Sequence, residues 1–167
     1  MPAFTIRPAR TTDVPAIQKL VEPLVHSRIL LGKDLVVFYE AVQEFRVAET
    51  ADGELIGCGA LHVMWQDLGE VRTLAVASHW LGTGVGHALL QDIVSDASAL
   101  GLSRLFCLTF ETHFFGRNGF EPIEESIVAP EVFVQLTLSP DEGIAEFLDL
   151  SRVKQNTLGN TRMLKTL

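Results

Sequence analysis

The stretch GEVRTLAVASHWLGTGVGHALL, residues 69–90, decides how the rest of the chain is organised. An apolar segment over residues 71–76 predicts a β-strand, and a glycine-rich turn follows over residues 82–86. Apolar side chains then recur at helical spacing over residues 88–94, which predicts a helix. Successive glycines leave backbone N–H groups uncovered, and a helix amino terminus adds roughly half a positive charge. The stretch therefore predicts a site for a phosphate group, with a pyrophosphate as the expected form.

The glycine turn does not fit two common phosphate-binding motifs. A P-loop requires Gly-Lys-Ser/Thr, whereas a His-Ala pair follows Gly86. A dinucleotide fingerprint requires a third glycine and an acidic residue roughly 20 positions later. Counted from Gly82 or Gly84, the third glycine is missing, and the region near Arg104 holds no acid. The alternative without a ligand is a tight turn that only reverses the chain.

Composition limits the class of protein. The chain has 167 residues, of which 47% are hydrophobic and 20% are charged, which predicts one domain over residues 1–167 with a sizeable core. No run of about 18 apolar residues is present, so no membrane span is expected. The net charge is −8 and no basic run occurs, which argues against nucleic acid as a partner. No cysteine–histidine cluster has the spacing of metal ligands, so no metal is predicted.

The two cysteines bear on the cellular compartment. Cys58 and Cys107 both lie in apolar, strand-like runs, where buried reduced thiols are expected. The first residues, MPAFTIRPAR, lack an apolar signal segment. Together these features predict a cytoplasmic protein.

The remaining pattern predicts an α/β (α+β) fold in which helices cover both faces of a mixed sheet. Asp34 is expected to cap a second helix over Leu35–Phe45. The other predicted elements are a strand over 4–7, a helix over 14–24 capped at 11–13, strands over 46–49 and 55–63 joined by a hairpin at 51–53, a strand over 105–110, a short helix from 113 that turns into a strand at 119–120, a helical stretch from Pro130, and a last strand over 161–167.

The opening stretch resembles the acetyl-CoA loop of the GNAT superfamily of N-acetyltransferases. That loop reads Q/R-x-x-G-x-G/A after a strand ending in L-A-V, and Leu74-Ala75-Val76 and Gly84-x-Gly86 match it, with Leu81 in place of Arg or Gln. The beginning I-R-P-A-x-x-x-D-V-x-x-I and the segment HFFGRNGFEPI are also similar to family patterns. The resemblance implies a GNAT fold in which the fourth and fifth strands splay apart and acetyl-CoA lies in the opening.

Longer segments resemble one branch of this superfamily. GELIGCGALHV, GEVRTLAV and LSRLFCLTFETHFFGRNGFEPI are similar to the acetyltransferase domain of bacterial N-acetylglutamate synthases. The ending EFLDLSRVKQNTLGNTRMLKTL resembles the stand-alone amino-acid N-acetyltransferases of actinobacteria. The resemblance covers essentially the whole chain. It implies transfer of an acetyl group from acetyl-CoA to the α-amine of L-glutamate, with L-glutamine as a second substrate, as the first step of arginine biosynthesis. A homodimer stays open, since members of the fold are commonly dimers.

The resemblance also assigns the acetyl-CoA contacts. Pantetheine would run along Leu74, Ala75 and Val76, and the Val76 amide would donate to the thioester oxygen. His87 would contact phosphate or would otherwise be a surface residue. The pyrophosphate would lie on the backbone amides of Gly82, Thr83, Gly84, Val85, Gly86 and His87.

Glu70 is the candidate acceptor for the proton of the substrate amine, because family members often carry a carboxylate at this place on the fourth strand. The alternative is a structural carboxylate paired with Arg72. In a regular strand Glu70, Arg72, Leu74 and Val76 would share one face, and a bulge would break that pattern.

The family tyrosine that protonates the departing thiolate is replaced by Phe115. The synthases that the chain resembles also have Phe there, so this change supports the branch and leaves no identified general acid. The thiolate would leave unassisted or take a proton from water, and His113 is a minor candidate.

An amino-acid substrate brings carboxylates, which require cations or backbone donors. Lys33 resembles one member of a basic pair that the synthases carry before their second helix, and Arg162 falls near a basic segment in their last strand. The candidate substrate-binding residues are Arg28, Lys33, Arg72 and Arg162.

Two other functions remain open at this point. A polyamine or other small-amine acetyltransferase would suit the net charge of −8. A non-catalytic, acyl-CoA-binding regulatory module on the same fold would suit Leu81 and Phe115, which depart from the family pattern.

Overall fold

The computed structural model describes residues 3–150 and 159–167, so part of the family-like ending, residues 151–158, lies outside the described residues. The strands are β1 Phe4–Pro8, β2 Phe45–Thr50, β3 Leu55–Val63, β4 Leu68–Val76, β5 Arg104–Thr109, β6 Glu121–Pro122 and β7 Thr161–Thr166. The helices are α1 Val14–His26, α2 Leu35–Glu40, α3 Val85–Ala99, α4 Thr112–Arg117, α5 Pro130–Leu136 and α6 Glu142–Phe147.

Most predicted elements are confirmed, but the second helix is wrong in its extent. It ends at Glu40, and a short 3-10 turn over Val42–Glu44 leads into β2. Phe45 adopts an extended backbone and pairs with Ala60 of β3, which places its ring in the core at 3% exposure. Because Phe45 pairs with β3, it belongs to β2 and not to the helical region. Helix α6 was not predicted.

The described strands form one mixed sheet in the order β1-β2-β3-β4-β5-β7-β6. Neighbours are antiparallel except for β4 and β5, which run parallel. Helix α3 packs on one face, where Leu90 and Ile93 are fully buried against β4 and β5. Helices α1 and α6 cover the other face, α1 against β2 and β3 and α6 against Phe106 of β5. The predicted mixed sheet with helices on both faces is thus confirmed.

The parallel pair β4–β5 opens along its length. Pairing is restricted to Leu68–Arg104, Gly69–Leu105 and Glu70–Phe106. Beyond Glu70, β4 continues to Val76 without β5 beside it. Within residues 3–150 and 159–167, the edge of β4 that faces this opening therefore has backbone groups without a strand partner, as the splayed geometry predicts.

A β-bulge interrupts β4 at Thr73. Cys58 pairs with Ala75 and Ala60 pairs with Arg72, so β4 has one residue more than β3 in this interval. Thr73 adopts a positive φ of 52°, which is uncommon for a residue with a side chain. The bulge turns Leu74 toward α3, the same face as Val71. Glu70 and Arg72 consequently share the α1–α6 face without Leu74, unlike in a regular strand.

Close packing of α3 fixes where its amino terminus lies. A Cβ on Gly59 of β3 would be 2.9 Å from the terminal methyls of Ile93 and Leu74, so a larger residue would require both side chains to move. Val85, the first residue of α3, and Leu89 are fully buried against Ile56 of β3. The start of α3 is therefore held rigidly beside the end of β4. Among the described residues no helix combines the length and apolar character needed to cross a membrane.

Candidate active site

The start of α3 presents backbone donors beside the glycine turn, where the Thr83 amide already donates to the Trp80 carbonyl at 3.4 Å. Gly82 and Gly84 have φ values of 77° and 93°, and a Cβ at either position would meet nothing within 4 Å. The first intrahelical bond at this end runs from the Ala88 amide to the Gly84 carbonyl at 2.9 Å. The amides of residues 85–87 therefore lack intrahelical acceptors and point out of the helix end. These amides fit a phosphate group, and the dipole of helix α3 favours a negative charge at this end.

Side chains around the turn leave the donors accessible. Leu81 is 66% exposed, so it does not cover the loop. His87 is exposed, and its Nδ1 lies 2.9 Å from Asn118 Oδ1 in the turn after α4. Since that oxygen only accepts, His87 donates through Nδ1, and Nε2 is left for another partner. The contact ties the start of α3 to the end of α4.

Glu70 and Arg72 form an ion pair on the α1–α6 face of β4. Arg72 Nε donates to Glu70 Oε2 at 2.6 Å, and both side chains are well buried. The two η nitrogens of Arg72 donate to the carboxylate of Asp141, at 2.9 Å and 2.5 Å. We call Glu70, Arg72 and Asp141 the Arg72 cluster. It combines two carboxyl groups with one guanidinium.

Burial shifts the pKa of the Glu70 carboxyl. The side chain is 6% exposed, and this burial raises the pKa of the Glu70 carboxyl against the opposing effect of Arg72. Within the described residues Oε1 of Glu70 makes no hydrogen bond, whereas Oε2 is held by Arg72. A raised pKa and an unoccupied oxygen suit a group that accepts a proton.

The partners of Glu70 are both held in their charged forms. Burial alone would raise the pKa of Asp141, but the hydrogen bonds and charge of Arg72 lower it to about 2. The two carboxylates raise the pKa of Arg72 despite its burial. Asp141 is therefore ionised and Arg72 is charged at neutral pH.

Helix α6 is attached to the sheet at both ends. Asp141 caps it by accepting the Ile144 amide at 2.9 Å while holding Arg72. At the other end, Arg162 of β7 donates to the carbonyl of Phe147 through Nη2. Gly143 lies directly over the Arg72 cluster, since a Cβ there would overlap Arg72 Nη2 and would be 2.9 Å from Glu70 Oε2.

Lys33 lies in the connector between α1 and α2 and is partly buried. It makes no ion pair or hydrogen bond within the described residues, although it senses the charges of Arg72, Glu70 and Asp141. Burial, followed by repulsion from Arg72, lowers the pKa of the Lys33 amine. Lys33 is therefore a cation next to the Arg72 cluster without a carboxylate of its own.

Arg162 is the second partly buried cation on this face. Its guanidinium carbon lies 6.0 Å from the ring centre of Phe106 and 5.9 Å from that of Phe147. Phe106 is the β5 partner of Glu70, so Arg162 stands across the β4–β5 opening. Burial lowers the pKa of Arg162, and its buried Nε has no hydrogen-bond partner among residues 3–150 and 159–167.

Other predicted residues lie elsewhere. Arg28 is exposed at the end of α1 with a positive φ of 59°, and no described contact links it to the Arg72 cluster. Phe115 is buried on the α3 face against Phe120, with ring centres 5.1 Å apart. Tyr39, the only tyrosine in the sequence, is 42% exposed on α2.

The cysteines are not nucleophiles in this fold. Both thiols are free and buried, and burial raises the pKa of Cys58 to about 12 and shifts that of Cys107 upward as well. Within the described residues no group of three or more His, Cys, Asp or Glu side chains is arranged to hold a metal ion.

Three residues of this site were missed by sequence reasoning: Asp141, Gly143 and Glu146. The segment Ser-Pro-Asp-Glu at 139–142 carries a usable signal, because Asp before an acidic first turn is a typical helix start. Glu146 lies one turn after Gly143 on α6, and burial together with the charge of Glu70 raises its pKa to about 7.

Comparisons with known proteins agree with this geometry. A mixed sheet with a splayed parallel pair and a glycine turn before α3 is the arrangement expected of an acetyl-CoA-dependent N-acetyltransferase. The sequence profile of the acetyltransferase (GNAT) family matches residues 22–120. The chain belongs to the GNAT acetyltransferase family.

Individual relatives are similar over much of the chain. An amino-acid acetyltransferase of Mycobacterium tuberculosis is 56% identical over 164 residues, which are 97% of this chain and 94% of the relative. The crystal structure of Rv2747 from Mycobacterium tuberculosis, in complex with CoA and NLQ, superposes with a TM-score of 0.93 at 55% identity and covers 98% of this chain and 99% of that one. N-acetylglutamate synthase from Neisseria gonorrhoeae, complexed with coenzyme A and N-acetyl-glutamate, has a TM-score of 0.79 at 28% identity; it matches 100% of this chain, which spans 36% of the synthase.

Proposed function

We propose that this chain transfers the acetyl group of acetyl-CoA to the α-amine of L-glutamate, with L-glutamine as a second substrate. The observation that carries the proposal is a pair of partly buried cations, Lys33 and Arg162, on the face of the sheet that holds Glu70. Neither has a carboxylate partner within the described residues. Burying a cation without a counterion is costly, which favours an anionic ligand.

Acetyl-CoA would be held by backbone groups. The amides of residues 82–87 would bind the pyrophosphate, and the free edge of Leu74–Val76 would pair with the pantetheine. Acetyl-CoA supplies an activated acetyl thioester. The Val76 amide would donate to the thioester oxygen as negative charge develops there. The similarity to two proteins solved with CoA or coenzyme A supports this assignment.

The substrate carboxylates would be divided between two cations. Lys33 is close to Arg72 and Glu70, so it would hold the carboxylate of the substrate on that side. Arg162 would hold the other end across the β4–β5 opening. Arg72 would hold Glu70 in place rather than bind the substrate, since its ε and η nitrogens are engaged by Glu70 and Asp141. Arg28, which is exposed, contributes at most to the entrance.

Glu70 would remove the proton of the amine. The amine nitrogen attacks the thioester carbonyl, a C–N bond forms, the C–S bond breaks, and CoA leaves as a thiolate. Glu70 Oε1 accepts the proton from nitrogen. Phe115 carries no hydroxyl and is buried on the opposite face, so the thiolate takes its proton from water. Binding both reactants in contact supplies much of the rate enhancement.

The cellular setting follows from the reaction. An enzyme that consumes acetyl-CoA and keeps its thiols reduced suits the cytoplasm. The resemblance to N-acetylglutamate synthases further supports a place at the start of arginine biosynthesis.

Free-thiol release from acetyl-CoA tests the proposal. The panel contains L-glutamate, L-glutamine, L-aspartate, ornithine, spermidine and no amine. Turnover with glutamate or glutamine alone is expected. Turnover with spermidine would assign the chain to small-amine acetylation, which the acidic Arg72 cluster and Glu146 would suit. Tight acetyl-CoA binding with no turnover on any amine would identify a regulatory module instead.

A further inference from the structure

The Arg72 cluster includes one carboxylate from outside the strand that carries Glu70. Asp141 is 69 residues from Arg72 in sequence and accepts hydrogen bonds from both of its η nitrogens. The same carboxylate caps α6 through the Ile144 amide. Asp141 thus connects the helix that covers this face to the strand that carries Glu70.

The geometry leaves Arg72 little freedom. Its Nε is fixed by Glu70 at 2.6 Å and its η nitrogens by Asp141, so the guanidinium plane has contacts on two edges. Gly143 closes the third side, because no side-chain atom would fit between its backbone and the ion pair. Without Asp141 the guanidinium would be held by Glu70 alone.

We propose that Asp141 is a positioning residue for acetyl transfer: by fixing the η nitrogens of Arg72, it keeps Arg72 Nε on Glu70 Oε2 and leaves Glu70 Oε1 directed at the substrate amine. This inference rests on the proposed role of Glu70. Asp141 itself contacts neither reactant. Gly143 belongs to the same device, since it permits α6 to lie on the pair.

Other charged groups act on Glu70 and must be considered together with Asp141. Arg72 and His62, its partners on β4 and β3, favour the ionised carboxylate, and Asp141 opposes it. His62 Nδ1 is held by Glu44 at 2.7 Å and its Nε2 lies 3.9 Å from Asp141. Three further groups interact electrostatically with Glu70: Lys33, Cys107 and Glu146.

Asp141→Asn removes the negative charge of Asp141 but keeps a side chain that can cap α6. Asparagine caps a helix about as well as aspartate and still accepts one hydrogen bond from Arg72. Loss of the negative charge by itself lowers the pKa of Glu70, whereas release of the Arg72 guanidinium from Glu70 raises it. The pair should also be held less firmly. We expect kcat to fall about three- to tenfold, with little change in CoA affinity or Tm. Gly143→Ala should lower kcat with every charge retained.

The control is Glu142→Gln, which removes a charge from the next residue of α6 without touching Arg72. The pKa of the Glu70 carboxyl is measured by NMR titration with 13C-labelled glutamate, a readout that does not need turnover. A lower kcat in both Asp141→Asn and Gly143→Ala, with a higher Glu70 pKa in Gly143→Ala and neither change in Glu142→Gln, supports the inference. An unchanged kcat in either variant, a Glu70 pKa in Gly143→Ala that does not rise, or equal changes in the control would overturn it. If Glu70→Gln instead leaves the rate unchanged, the proposed function of Glu70 fails independently.

Discussion

Arg72 Nε lies 2.6 Å from Glu70 Oε2, two residues back along the same strand and on the same face. The pair occupies one oxygen of Glu70 and leaves the other without a partner in the described part of the chain. The two readings of Glu70 drawn from the sequence, a catalytic base and a carboxylate paired with Arg72, are therefore compatible. Only kinetics separates an ion pair that also accepts a proton from one that does not.

Replacing Glu70 by Gln should lower kcat about tenfold or more, because the amine loses its proton acceptor. Glu70 acts only when ionised, and burial raises its pKa, so the wild-type rate should rise with pH through a value above that of an ordinary glutamate. Glu70→Gln should lack this rise. Steady-state kinetics across pH, together with a CoA binding measurement, provides the test.

Glu22→Gln, on the exposed side of α1, is the matched control for this change. It should have the wild-type rate and pH profile. A Glu70→Gln enzyme with an unaltered pH profile would remove Glu70 from the mechanism.

Lys33→Met should raise the KM for L-glutamate about tenfold or more and leave CoA affinity unchanged. A hydrogen bond to a charged group contributes about 1.5–3 kcal/mol, and about 1.4 kcal/mol corresponds to a factor of ten. Lys33→Arg should retain part of the affinity, since the charge is kept. Lys19→Met removes an exposed lysine of α1 and should have no effect. Equal KM values for Lys33→Met and Lys19→Met would show that Lys33 does not bind substrate.

The part of the fold that the sequence predicts is the part governed by local pattern. The hairpin at 51–53, the first helix and the glycine turn all follow from residue types within a few positions of each other. The predicted second helix is too long because the first half of Leu35 to Phe45 is uniformly apolar. Only the pairing of Phe45 with Ala60 shows where β2 begins. That pairing joins segments that are distant in sequence.

The same limit applies to the site. Glu70 and Lys33 were found through family-like motifs, whereas the partner of Arg72 is 69 residues away on a helix with little periodicity. The sequence allows for a bulge in β4 but does not place it at Thr73, because its position depends on a register shift against β3. Long-range contacts of single side chains leave no periodic signal in one sequence.

Gly84→Ala should weaken acetyl-CoA binding about tenfold, because a side chain at φ 93° strains the turn that presents the amides. The strain costs about 1–2 kcal/mol. Gly53→Ala is the control, since Gly53 has a φ of 88° in a hairpin and its Cβ would also meet nothing within 4 Å. Both variants should lose similar stability in thermal unfolding. Only Gly84→Ala should lose CoA affinity. Equal CoA affinities for Gly84→Ala and Gly53→Ala would show that the turn does not bind CoA.

Glu146→Gln should stabilise the protein above neutral pH. Burial and the charge of Glu70 raise the folded-state pKa of Glu146 from 4.5 to about 7, so folding holds a proton that the unfolded chain has released. This contribution is complete below pH 4.5 and is lost as pH rises through 7. Because Glu146 is only partly buried, we expect a gain of about 1 kcal/mol at pH 8 and none at pH 4. Thermal unfolding at both pH values measures it, with Glu131→Gln, an acidic residue in the first turn of α5, as the control. A Tm difference between Glu146→Gln and wild type that does not grow with pH would contradict this assignment.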